Sequence, residues 1–174
     1  MKNNFFVLIS LLCIFFISCT DKKNQKEIII SGTDSLKLPT QSELLDKADS
    51  KALKASLNKI DYDLTKMSST MIYGQVFDMM IDPDSYIGKT LKMKGNFQVF
   101  ENEENNERYY AIVIQDATAC CQQGIEFIWS GEHTYPDDYP KIGDEITITG
   151  VYQVSYTEDD LMFNYLLTDD IECK

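Results

Sequence analysis

Three cysteines and a histidine carry the sharpest chemistry in this 174-residue sequence: the adjacent pair Cys120 and Cys121, Cys173 one residue from the end, and His133, the only histidine. In an oxidising compartment, the odd set of three predicts one disulfide, from Cys173 to one of the adjacent pair, taken as Cys121, with the third thiol left over. A bridge within the pair itself would close a small, strained ring. The same thiols also suit a soft metal. Cys120, Cys121, Cys173 and His133 together would make a four-donor set for zinc or copper(I). Their spacing is not that of a Cys-x2-Cys knuckle, and adjacent residues of an extended strand point to opposite faces. Redox catalysis would need a base or cation beside a thiolate, whereas Asp116, Gln122 and Gln123 are what flank the pair.

The carboxylates offer less. Asp137 with Asp138, and the run Glu158, Asp159 and Asp160, cluster oxygens of the kind calcium takes, but acidic loop tips are ordinarily solvated turns. No HExxH helix, nucleophile elbow or glycine-rich phosphate loop occurs, so the reading is non-enzymatic. Lys and Arg number 16 against 28 Asp and Glu, a net charge of -12. From Tyr86 onward the imbalance is 6 cations to 17 carboxylates. Nucleic acid would meet repulsion where its binders offer cations, and is excluded as a partner.

Positioning these residues begins with an address. Residues 1–18, MKNNFFVLISLLCIFFIS, place one cation at Lys2 before an apolar run from Phe5 to Ile17. That run is shorter than the roughly 20 residues needed to cross a bilayer, which makes it a secretory signal rather than an anchor. Phe16-Ile17-Ser18-Cys19 resembles the lipobox of bacterial lipoproteins. The resemblance implies that Cys19 becomes the N-terminus, that its sulfur carries lipid with palmitate among the acyl chains, and that the protein sits on a membrane of the cell envelope, facing outward from the cytoplasm. Cys13 would leave with the signal.

Residues 19–61 are polar and Lys-rich and read as a tether, with a frayed helix over Ser42–Asn58. Residues 62–85 form an amphipathic segment: Met71, Ile72, Gln75, Val76, Met79 and Met80 recur near helical spacing, Ser68 and Ser69 are candidate N-caps, and Asp82-Pro83 stops the helix. The methionines read as packing rather than as a copper face. In residues 86–174 the period changes from 3.6 to 2. Five strands are predicted from Leu91, Met93, Phe97 and Val99; from Tyr110, Ile112 and Ile114; from Ile125, Phe127 and Trp129; from Ile146, Ile148, Tyr152 and Val154; and from Leu161, Phe163, Tyr165 and Leu167. The two prolines of GEHTYPDDYPKIGDE forbid a long helix between the third and fourth. Gly95 and Gly150 interrupt the first and fourth, where a small barrel needs sharp coiling or a bulge.

Tyr86-Ile87-Gly88-Lys89-Thr90-Leu91-Lys92-Met93-Lys94-Gly95 and Lys141-Ile142-Gly143-Asp144-Glu145-Ile146-Thr147-Ile148-Thr149-Gly150 resemble two signatures of extracytoplasmic OB-fold domains of the tRNA-anticodon-binding-like type. Asp116-Ala117-Thr118-Ala119-Cys120-Cys121 is similar to the Cys-Cys element in the OB-like domain of a zinc-responsive bacterial membrane-protein family. These likenesses imply a mainly β protein, a five-stranded OB-like barrel behind a short amphipathic helix, and a lipoprotein that presents a binding module to an envelope protein or small ligand. No cofactor belongs to that reading. The alternative is a metal-handling lipoprotein using the cysteine–histidine set.

Overall fold

Strands run wherever apolar and polar residues alternate in the second half of the chain, and their pairing generates the architecture. The computed structural model describes residues 28–29, 39–46, 50–102, 106–115, 122–157 and 160–173. In chain order these hold β1 (Ile28–Ile29), α1 (Gln41–Asp46), α2 (Ser50–Leu57), β2 (Tyr62–Asp63), α3 (Ser69–Ile81), β3 (Thr90–Asn102), β4 (Glu107–Gln115), β5 (Gln122–Trp129), β6 (Glu145–Tyr156) and β7 (Met162–Cys173). Short 3-10 turns at Leu64–Lys66 and Pro83–Ser85 flank α3.

The fold is mainly β, and its sheet closes on itself. β3 pairs antiparallel with β4, β4 with β5, β5 runs parallel to β7, β7 pairs with β6, and β6 returns to β3. The five periodic runs of the sequence fall on β3 to β7. The two-residue β1 and β2 add to β3 in parallel and bring the sheet to seven strands; segments so short carry no periodicity to read.

Closure depends on one long strand serving two neighbours. β3 pairs with β6 up to Gly95, opposite Ile146, and with β4 from Asn96, opposite Val113. At Gly95 a Cβ would come within 2.6 Å of the Val113 carbonyl oxygen, so only glycine lets the two backbones pass. A register shift between Ile148 and Gly150 bends β6 in the same way, and a Cβ on Gly150 would lie 2.9 Å from that of Leu166.

Both faces of the sheet are buried in part, which is why β4 reads ERYYAIVIQ rather than as a clean alternation. Phe97, Ile112, Phe127, Ile148 and Leu166 fill the interior with other apolar residues, and α3 closes one side through Ile72, Val76 and Met79. Tyr109, Ile128, Phe163, Tyr165 and Leu167 form a second cluster on the outer face, joined by Leu44 of α1 and Leu53 of α2. Within the helix expected over Ser42–Asn58 the described residues form α1 and α2, and part of the segment assigned to the 19–61 tether is packed: Leu44 and Leu53 are only 2% and 5% exposed. Four leucines spread over 41–57 make too thin a stripe to announce this burial.

α3 starts where its sequence signals say. Ser68 is the N-cap, its Oγ accepting from the Met71 N–H at 3.4 Å, and Asp82 is the C-cap. Its core face is narrower than the spacing suggests. Ile72, Val76 and Met79 point inward, whereas Met71 and Met80 are exposed with Phe77 and Ile81. Two tyrosines fix the helix. The Tyr86 hydroxyl donates to the Asp78 carboxylate at 2.5 Å and accepts from Gln75 at 2.7 Å, and the Tyr152 hydroxyl donates to the Met79 carbonyl at 2.8 Å. The Asp78 bond, aided by burial, pushes Tyr86 up to about 12, and burial does the same for Tyr152.

Candidate functional site

The segment between β5 and β6 leaves the barrel at Trp129 and folds back over its end. Gly131, at φ +111°, makes the reversal, and a Cβ there would crowd the His133 ring at 3.2 Å. His133 then stacks on Trp129 with centroids 3.6 Å apart and planes 11° from parallel, its Nε2 lying 3.1 Å from the Ser130 carbonyl oxygen. Asp138 holds the turn by accepting from the Thr134 N–H at 2.7 Å, and Asp144 does so again from the Lys141 N–H at 3.1 Å.

That turn delivers two more rings. Tyr139 stacks on Tyr110 of β4 at 4.2 Å and meets Trp129 edge-on at 5.4 Å. Tyr135 lies 5.7 Å from Tyr110, and the Arg108 guanidinium sits 5.3 Å from the centre of its ring. Arg108 in turn bonds the Glu101 carboxylate at 2.9 Å. Phe97 and Phe127 form the floor. Burial raises the hydroxyls of Tyr110 and Tyr139 above the ordinary phenol range, so both are neutral donors at any physiological pH. Two donor atoms here are buried with no hydrogen-bond partner among the described residues, Trp129 Nε1 and Arg108 Nε. Half-buried rings, a guanidinium and two N–H groups unanswered among the described residues thus meet at one end of the barrel.

No family model matches the chain. No curated protein matches it either.

The residues singled out from the sequence are distributed unevenly. His133 is part of the aromatic end, held by Trp129. Cys173 is an exposed thiol at the end of β7, opposite Ile146. Cys19, Cys120 and Cys121 lie outside the described residues, and with them the Cys121–Cys173 bridge, the Cys120–Cys121–His133–Cys173 metal set and the lipid site. Among the described residues no three of His, Cys, Asp and Glu come together closely enough to hold a metal ion. In the acidic loops considered for calcium, Asp138 serves the turn, while Glu158 and Asp159 are outside the described residues. Sequence reasoning missed Trp129, Tyr135, Tyr139 and Arg108 as a group. The signal was there in the doubled Tyr-Pro of the loop, Tyr135-Pro136 and Tyr139-Pro140, which reads at first only as a helix breaker.

Proposed function

We propose that this protein is a non-enzymatic binding module of the bacterial cell envelope, an OB-type barrel carried on lipid at Cys19, which holds its ligand or protein partner at the aromatic end of the barrel. The ring order β3-β4-β5-β7-β6, with β5 parallel to β7, is the order of an OB barrel, and it favours that assignment over a generic sheet. The observation that carries the functional reading is the cluster of Trp129, His133, Tyr135 and Tyr139 beside Arg108. Aromatic faces with unanswered N–H donors suit a ligand that presents a flat apolar face and acceptor oxygens, such as a sugar ring or a partner's aromatic side chain. The acidic surface disfavours polyanions.

Trp129 is the only tryptophan, so its fluorescence reports this end alone. Titration with envelope-glycan oligosaccharides and with aromatic peptides should change that emission saturably for at least one class. Tyr135→Ala should weaken the effect by about tenfold or more, the range of a lost aromatic anchor. Binding that leaves Trp129 unaffected, or survives Tyr135→Ala and Arg108→Ala undiminished, would rule out this end as the site. Cys19→Ser should abolish lipid labelling and leave the chain longer by its uncleaved signal.

A further inference from the structure

β3 has an edge that the closed ring does not use. Its pairing with β6 stops at Gly95, and from Asn96 onward β4 takes only the other side. Two pieces of chain fill the open edge. The loop that carries the aromatic end takes Phe97, whose N–H donates to the Asp144 carbonyl at 2.9 Å and whose carbonyl accepts from the Gly143 N–H at 2.8 Å. Farther along, β1 takes Phe100 and Glu101, opposite Ile28 and Ile29. The sequence prepares for this, because Ile28-Ile29-Ile30 is the only apolar triplet between Cys19 and Leu36, and β-branched residues suit an added strand.

The N-terminal chain is therefore fastened beside the aromatic end. Glu101, the partner of Ile29, bonds Arg108 at 2.9 Å, and that guanidinium lies over Tyr135. Ile28 is nine residues from Cys19, a stretch that spans at most about 30 Å. Residues 19–61 acting as one free tether would reach about 140 Å. The other end of β3, at Thr90, is ten residues from Phe100 and up to about 33 Å farther away. Between Cys19 and Ile28 stand Lys22, Lys23 and Lys26, cations of the kind that settle on phosphate-bearing surfaces.

We propose that the aromatic end of the barrel faces the membrane that carries the lipid of Cys19, held there by the pairing of Ile28–Ile29 with β3, and that the surface it meets is a zwitterionic phospholipid headgroup layer. This rests on the lipid reading of Cys19. The charges fit such a layer: its phosphates answer the three lysines, and its ammonium groups answer the exposed Asp137 and Asp138 of the aromatic loop, which a purely anionic surface would repel. Tryptophan and tyrosine, with an apolar body and a polar tip, are the rings that lie at headgroup level. A ligand borne by the same membrane would reach the site without leaving the surface.

Energy transfer from Trp129, the only tryptophan, to dansyl-phosphatidylethanolamine in phosphatidylcholine vesicles carrying the full lipidated protein tests this. Transfer should fall by at least about twofold when roughly 30 Gly/Ser residues are inserted between Lys26 and Glu27, upstream of β1, since such a linker adds tens of ångströms of slack. The same insertion between Ser31 and Gly32, downstream of β1, should leave transfer unchanged. In a Trp129→Phe, Ile87→Trp double variant, whose exposed indole lies near the Thr90 end of β3, transfer should be at least about twofold weaker than from Trp129. No transfer from protein that floats with the vesicles, equal responses to the two insertions, or transfer from the Ile87→Trp variant as strong as from Trp129 would each overturn the proposal and leave the lipid reading standing. A chain without lipid on Cys19 would overturn both.

Discussion

Trp129 and His133 show how much one stacked pair decides. The lone histidine of an acidic chain invites a metal, and the sequence offers three thiols to complete the set. In the structure its ring lies flat on the indole and its Nε2 faces the Ser130 carbonyl. Of the thiols it would have to join, Cys173 stands at the end of β7 and Cys120 and Cys121 lie outside the described residues. Thiol titration and elemental analysis of untagged protein would separate the readings. A Cys121–Cys173 bridge predicts one titratable thiol besides Cys19 and a loss of about 2–5 kcal/mol on Cys173→Ser. A metal site predicts stoichiometric zinc or copper and three thiols after chelation. Three freely titrating thiols without metal would contradict both. His133 could be marked from the sequence because its type is rare. The tyrosines that share its site could not, since ten tyrosines look alike until the fold brings two of them over Tyr110.

At the scale of elements, the strands were legible and their orientation was not. Period-two alternation located β3 to β7, but Phe163, Tyr165 and Leu167 belong to the outer cluster while Leu166 between them faces inward. With both sheet faces covered, alternation no longer says which face is the interior. α3 illustrates the complement: its cap and stop were readable from Ser68 and Asp82-Pro83, but four exposed apolar residues blurred its core face. α1 and α2 were half hidden, because burying Leu44 and Leu53 takes no amphipathic stripe. Gly95 is the element-scale prediction. Gly95→Ala should cost about 1–3 kcal/mol in denaturant unfolding, since the added methyl meets backbone at 2.6 Å rather than a movable side chain. Gly74→Ala, with nothing within 4 Å in the middle of α3, should instead stabilise by about 0.5–1 kcal/mol. Equal effects at the two sites would mean that β3 does not pass β4 so closely.

For the whole molecule, closure of the sheet and the charge of the surface act together. The ring β3-β4-β5-β7-β6 leaves few free strand edges among the described residues, which in the proposed reading puts a partner on loops and outer faces rather than on an added strand. In the proposed reading, the deficit of cations disfavours nucleic acid and favours neutral or basic ligands. In the proposed setting, lipid at Cys19 and the chain behind it hold the barrel near a membrane, and the aromatic end is where a ligand would be received. The indole N–H of Trp129, single in the chain and unpartnered among the described residues, reports that event most directly. In a proton–nitrogen NMR titration with the ligand class that quenches Trp129, its resonance should shift saturably together with amides of 133–139 and of Tyr110, while those of α2 stay in place. Shifts confined to α3 or to β6 and β7, with the indole unmoved at saturation, would contradict the account.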